Sequence, residues 1–251
     1  MTLKHFAYIL TVFSLLGCGS SDSTDVGTAL TSSDTTNETI VNTNDETVTL
    51  PANVEEAIAA PLSTLTQDLQ DSITYMYSEE GLAHDLYLNI YEFQALNQLK
   101  NIATKSEVKH IAAVNQIAQK YDLNITKYPD TDKPYSTNDL ERYGSGEYPV
   151  EPIQELYNIL YDKGILSARD ALEVGCLVEV VDIDDLDEYI EQAEDANASD
   201  VLEVFNFLRE GSYAHYWTFD EALKNMNVTD GCCSLDDFGE HDLCHPEYPI
   251  K

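Results

Sequence analysis

The residues of this chain best suited to chemistry are carboxylates and imidazoles set singly into apolar stripes. Glu80 interrupts the series Leu69, Ile73, Met76, Ala83, Tyr87, Ile90. Glu107 and His110 lie three apart and head the series Val114, Ile117, Tyr121. Glu179 follows Leu172 and Cys176, and His215 falls between Leu208 and Phe219. Each series steps by threes and fours, the spacing of one face of an α-helix. A single carboxylate on such a face is costly to bury. Several that converge on one layer need a shared cation or protons. Carboxylate oxygen together with imidazole nitrogen suits iron, manganese or zinc. A Glu and a His three apart on one helix aim at the same ion, and carboxylates from other helices complete and bridge such a centre. The expected metal ligands are therefore Glu80, Glu107, His110, Glu179 and His215. The expected cofactor is one or two ions of iron or manganese, with zinc as the alternative. Glu79 is expected to face solvent and His84 to lie beside the site or on the surface. Tyr87 reads as a core residue that could sit next to the metal as a redox-active phenol.

Four long amphipathic helices must carry these residues. The first runs from about Ser63 or Thr66 to Leu96 and the second from about Leu99 to Tyr121. Leu123 to Val150 is a long polar connection punctuated by Pro129, Pro134, Gly144 and Gly146. A short helix, Pro152 to Tyr161, stops at Lys163-Gly164, and Ser167 caps the third long helix. Asp182-Ile183-Asp184-Asp185 reads as a break into a further helical piece, Leu186 to about Ala196, with Asp184, Asp185, Asp187 and Glu188 as a solvated face. Ser199 or Asp200 caps the last long helix, which reaches about Met226. There is almost no strand-like alternation. The fold class expected is all-α, with four main helices, a long central connection and extra short helices.

Several stretches carry a resemblance to a known group. Glu80-Gly81-Leu82-Ala83 with Tyr87, and Ser106-Glu107-Val108-Lys109-His110, resemble metal-binding helices of rubrerythrin-type ferritin-like proteins. The chain as a whole, over about Leu65 to Leu223, is similar to a family of uncharacterised bacterial and archaeal ferritin-like domains. The segments are Tyr75 to Tyr87, Asn101-Ile102-Ala103, Ala171 to Gly175, Asp182 to Leu186 and Gly211-Ser212-Tyr213-Ala214-His215. The resemblance implies a ferritin-like four-helix bundle. A symmetric two-metal site would have a second Glu-x-x-His on the last helix. Here Ser212 stands three residues before His215, where that Glu would be. Asp182, three residues after Glu179, could replace the missing carboxylate if its helix continues that far.

The two ends read differently. Lys4 precedes an apolar run, Phe6 to Leu16, too short for a permanent membrane span. Leu15-Leu16-Gly17-Cys18 resembles a bacterial lipobox, which implies cleavage before Cys18 and its diacylation. Residues from Gly19 to about Pro61 hold no Lys, Arg or aromatic residue and read as a disordered tether. Such a coil spans roughly 35–40 Å. The expected organisation is 1–17 signal peptide, 18–61 tether, 62–227 ferritin-like domain and 228–251 Cys/His-containing tail. In that tail Cys232 or Cys233 is expected to pair with Cys244, and a Cys/His zinc or copper site with His241 and His245 is the alternative.

Lys and Arg number 13 against 46 Asp and Glu, a formal charge of −33. Such a surface repels nucleic acid and anionic headgroups, which excludes nucleic-acid binding and leaves metal ions as expected partners. The membrane would be reached only through the lipid anchor, with the domain exported and facing the periplasm or the cell exterior. The function expected is a lipid-anchored metal-binding protein, with oxidation of a ferrous site by dioxygen or peroxide as the plausible reaction. The alternative is a lipoprotein that binds metal or a partner on a ferritin-like scaffold without turnover. Whether the chain is an enzyme stays open at this point.

Overall fold

The computed structural model describes residues 48–125, 146–148, 151–239 and 241–250. The expected signal peptide, Cys18, residues 18–47 of the expected tether and most of the polar connection after Leu123 lie outside them. All regular structure among the described residues is helical. An antiparallel bridge between Phe238 and His241 is the sole strand-like pairing there.

Helix α1 spans Ala52–Ala59, α2 Gln67–Gln94 and α3 Asn97–Ile102. A π-helical turn, Ala103–Glu107, joins α3 to α4, Val108–Lys120. After the long connection come α5, Glu151–Gly164, α6, Ala168–Asp195, and α7, Ser199–Asn225. Caps set two of these boundaries. The Thr66 hydroxyl accepts the Leu69 N–H at 3.1 Å, and Ser167 accepts the Asp170 N–H at 3.1 Å. Ala95 in the left-handed region, at φ 48°, ends α2.

The apolar stripes read from the sequence are the core. Leu69, Ile73, Met76, Tyr87 and Ile90 of α2 are buried against Val114 and Ile117 of α4 and Leu172 and Cys176 of α6. Val201, Phe205, Leu208 and Phe219 of α7 close the interior. Among the described residues no helix is long and apolar enough to cross a membrane.

Two expectations are corrected. The acidic run Asp182 to Asp185 does not break α6, which is continuous to Asp195. Ile183, Leu186 and Ile190 keep the helical period through the charges and are buried. Asp in a helix interior carries only a modest propensity penalty, which that burial outweighs. Secondly, the stretch read as tether is ordered in its last part. Leu50 and Val54 are buried, and α1 lies against α4 and α7. Asn53 donates to Glu203 at 2.5 Å, and Lys120 reaches the Ala57 carbonyl at 3.3 Å. Two apolar anchors suffice to dock this short helix despite its polar surroundings.

The tail folds onto the helices, and the bridge expected there to Cys244 is present. Cys233 pairs with Cys244, and Cys232 pairs with Cys176 of α6. With Cys232, Cys233 and Cys244 all bridged, no thiolate is left in the tail for zinc or copper. His241 contacts Asp184 at 2.7 Å, and the Tyr216 hydroxyl donates to the Leu243 carbonyl at 3.0 Å.

Candidate metal centre

The four helical segments that carry the expected ligands bring them into one buried layer. Glu80 enters from α2, Glu107 and His110 from the π-turn and α4, Glu179 from α6 and His215 from α7. All five are buried. Glu107 closes the single π-helical turn of its segment. Such turns shift side-chain register inside a helix and occur often at functional sites.

Two triads result, Glu80/Glu107/His110 and Glu107/Glu179/His215. Glu107 belongs to both. Its Oε2 lies 3.0 Å from His110 Nδ1 and its Oε1 lies 3.1 Å from His215 Nδ1. Glu80 Oε2 is 3.2 Å from His110 Nδ1, and Glu179 Oε2 is 3.2 Å from His215 Nδ1. Each imidazole thus presents one nitrogen to two carboxylate oxygens. A single N–H cannot point straight at both. Metal bonds of about 2.1 Å at right angles put neighbouring donors about 3.0 Å apart. The donor spacings therefore match the edges of a coordination shell better than a set of ordinary hydrogen bonds. Glu80 Oε1 is buried and has no hydrogen-bond partner, a further donor available to an ion. The donor set and the orphaned oxygen both fit a metal of the iron, manganese and zinc group.

Other side chains fix these donors. Tyr87 donates to Glu179 Oε1 at 2.5 Å, so the phenol abuts the second triad. Gly211 faces the His110 ring, where a Cβ would come within 2.3 Å of Nε2. The helix therefore continues through Asp182, but its carboxylate belongs to neither triad. It accepts the Ser212 hydroxyl at 2.5 Å. Ser212 and Asp182 together fill the place where a symmetric site would have a fourth carboxylate ligand.

Burial and neighbouring charge set the protonation of this layer. Burial alone would favour neutral His215, but Glu179 and Glu107 override it and raise its pKa to about 10. Burial would likewise lower His110, yet Glu80 and Glu107 hold it well above the usual histidine range. Glu107 feels the same burial, which opposes its charge, but His215 and His110 together hold it well below the ordinary carboxylate range. Glu80 moves the other way, to about 7, because burial outweighs His110. Burial also pushes Glu179 upward against the pull of His215. Asp182 is raised well above its usual value, by burial first and the Glu80 charge second. In the metal-free protein, protons neutralise the layer.

Glu79 is not where the sequence stripe put it. It is buried, 4 % exposed, and neither carboxylate oxygen has a hydrogen-bond partner. A second series on α2, Tyr75, Glu79, Leu82, Leu86, steps by four, three and four and is the signal that would have found it. His84 instead pairs with Asp85 at 2.9 Å and is partly exposed, apart from the triads.

Comparison with known proteins places these residues in a broader setting. A family model described as an uncharacterised protein domain, DUF2202, matches residues 69–230. The uncharacterised protein MJ0754 of Methanocaldococcus jannaschii is 32% identical over 189 residues, covering 74% of this chain and 93% of that protein. The crystal structure of the hypothetical protein MJ0754 superposes with a TM-score of 0.57 at 30% identity, over 67% of this chain and 86% of that one. The matched residues 69–230 include all five members of the triads.

Proposed function

The chain belongs to the DUF2202 family of uncharacterised domains, and within it we propose that this protein is a ferritin-like metalloprotein holding two iron or manganese ions between its helices. The observation that carries the reading is Glu107, whose two oxygens each face a different histidine across a different triad. A carboxylate so placed bridges two ions. Support for the ferritin-like architecture comes from the connectivity. All triad members sit on four long helical segments, with the long connection between the second and third. Diacylation at Cys18 and export to the periplasm or cell exterior remain part of the proposal, and the two disulfides suit an oxidising compartment.

With iron bound, such a centre supplies a ferrous pair able to give electrons to dioxygen or peroxide. The chain's own residues have distinct parts in this scheme. Glu80 would hold one ion with His110 and Glu179 the other with His215, and Glu107 could serve both. His110 and His215 must give up their protons to bind, so loading is favoured by rising pH. The Tyr87 hydroxyl orients Glu179 and is a proton donor next to the centre. Apolar neighbours such as Phe219 and Met76 keep bulk water from the layer.

Ser212, standing where a fourth carboxylate ligand would be, favours a second reading: metal binding without turnover. Metal analysis of the full-length oxidised chain tests the shared premise. Two equivalents per chain are expected in the wild type and none tightly held in Glu107→Gln, with equal helical circular dichroism. A folded wild type that takes up no iron, manganese or zinc on reconstitution would sink both readings. Consumption of dioxygen or peroxide by the iron-loaded protein then separates the enzyme from the binding protein.

A further inference from the structure

Glu79 is a buried carboxylate that the two triads do not use. Both its oxygens are buried without a hydrogen-bond partner. It lines, with Asp182, a narrow, partly open cleft between α2, α5 and α6, to which Phe238 of the tail also contributes. The rest of the lining is apolar, Leu156 and Val181 among it. Among the described residues no cation stands among the charges that act on Glu79, which come from Asp185, Asp182 and Glu80. A carboxylate in that position lacks a counter-charge.

The same carboxylates form a series along α6. Glu179, Asp182, Asp185 and Glu188 are each three residues apart. Glu179 and Asp182 are buried, Asp185 is half-buried and Glu188 is exposed. Each step rises about 4.5 Å along the helix. Acidic groups therefore lead from solvent to the second triad on α6, and Glu79 stands beside them on α2, next in sequence to the triad member Glu80. Acidic groups at the mouth concentrate counter-ions, and the buried carboxyls can exchange a proton for a passing cation.

We propose that Asp185, Glu79 and Asp182 form the inlet through which divalent transition-metal cations pass from solvent to the Glu/His triads. Glu79 is a transfer group, taking the ion from Asp185 and releasing it to Glu80, with Asp182 on the opposite wall. The inlet rests on the two-ion reading given above, and it concerns the rate of loading rather than the final occupancy. Glu79 and Asp185 lie outside both triads, so removing their charge leaves the ligands intact.

Manganese(II) is a suitable probe, because the paramagnetic resonance signal of the free aqua ion disappears on binding. The metal-free full-length chain is mixed rapidly with manganese(II), and both the rate and the final amount bound are read. Glu79→Gln and Asp185→Asn are compared singly with the wild type, with helicity checked by circular dichroism. Asp185 is only half-buried, so its variant keeps the test usable if Glu79→Gln disturbs packing. The expected result is uptake slowed at least tenfold in each folded variant, with final stoichiometry equal to wild type. Wild-type rates in both would overturn the inlet while leaving the metal-binding reading standing. Reduced stoichiometry at an unchanged rate would overturn it too, by making Glu79 a ligand. Absence of uptake by the wild type would instead bring down the two-ion reading on which the inlet depends.

Discussion

Gly211→Ala tests the candidate metal centre by adding one methyl group, without replacing any of the ligand residues. Glycine in the interior of a long helix costs about 1 kcal/mol relative to alanine, so its presence in α7 asks for a reason. The reason is the His110 ring. A Cβ at position 211 would lie 2.3 Å from Nε2 and 2.6 Å from Cε1, whereas ordinary contact begins at 3.4 Å. The shortfall at Nε2 is about 1.1 Å, and the ring must move by about that much. Metal–ligand distances tolerate only about 0.2 Å. Displacement on this scale takes His110 Nδ1 out of the first triad. Glu107, Glu179 and His215 keep their places, because none of them faces Gly211. The variant should therefore bind one ion per chain where the wild type binds two. Gain in helix propensity offsets part of the clash, so the metal-free variant should stay folded, with a thermal midpoint within several degrees of wild type. Isothermal titration with manganese(II) reads the stoichiometry, and circular dichroism reads the midpoint. Two ions bound at wild-type affinity would refute the argument that Gly211 positions His110. Loss of both ions from a folded variant would refute the independence of the second triad.

Further expectations follow from the protonation of the layer and from the tail. His215 titrates near 6.5 when unfolded and near 10 when folded, so the native state binds the extra proton between those values. That contribution is fully present below pH 6.5 and is lost as pH rises through 10. Urea midpoints of the metal-free protein should thus fall from pH 7 to pH 10, and a rise would contradict the charge state assigned to His215. The Cys176–Cys232 bridge closes a separation of 56 residues, which stabilises by about 4 kcal/mol in the chain-entropy account. Cys176→Ser with Cys232→Ser should lower the unfolding free energy by about that amount in denaturant titrations, and a loss below about 1 kcal/mol would tell against that account.

Much of this arrangement is legible in the sequence because a helix repeats its face every three to four residues. The stripes through Glu80, Glu107–His110 and His215 name their helices and their buried faces together, without any knowledge of packing. What is harder to read depends on neighbours distant in the chain. Asp182 to Asp185 looks like a break because three aspartates within four residues suit a turn. Ile183 and Leu186 hold the run in a helix only because α7 lies across them. Glu79 sits on a second apolar series hidden by the stronger one beside it, and its burial requires α6 to cover that side. Two residues, Leu50 and Val54, dock α1, too few for composition to separate it from the polar stretch before it. The π-turn before Glu107 leaves no mark in the residue types, since it is a matter of hydrogen-bond register alone. Pairing of Cys176 with Cys232 likewise depends on where the tail returns, one of three connectivities open to four cysteines.

The charge of the layer explains why a site lacking a fourth carboxylate ligand is still suited to two ions. Glu80, Glu107 and Glu179 supply three negative charges when ionised, and Asp182 supplies a fourth next to them. Two divalent cations with neutral His110 and His215 bring the sum to zero. Buried net charge is the expensive alternative. Without metal, neutrality needs four protons instead: one on each imidazole, and one each for Glu80 and Asp182, the carboxyls that burial and neighbouring anions push upward. A single bound divalent ion would leave two of those protons in place. On the two-ion reading proposed above, loading would exchange four protons for two ions, and each imidazole would have to be freed before its triad could close. Ser212 changes the coordination, because a hydroxyl cannot ligate as a carboxylate does, but by donating to Asp182 at 2.5 Å it keeps the missing charge in the layer. Under that reading Asp182 would stand in electrostatically for a carboxylate at position 212, one hydrogen bond removed from the site.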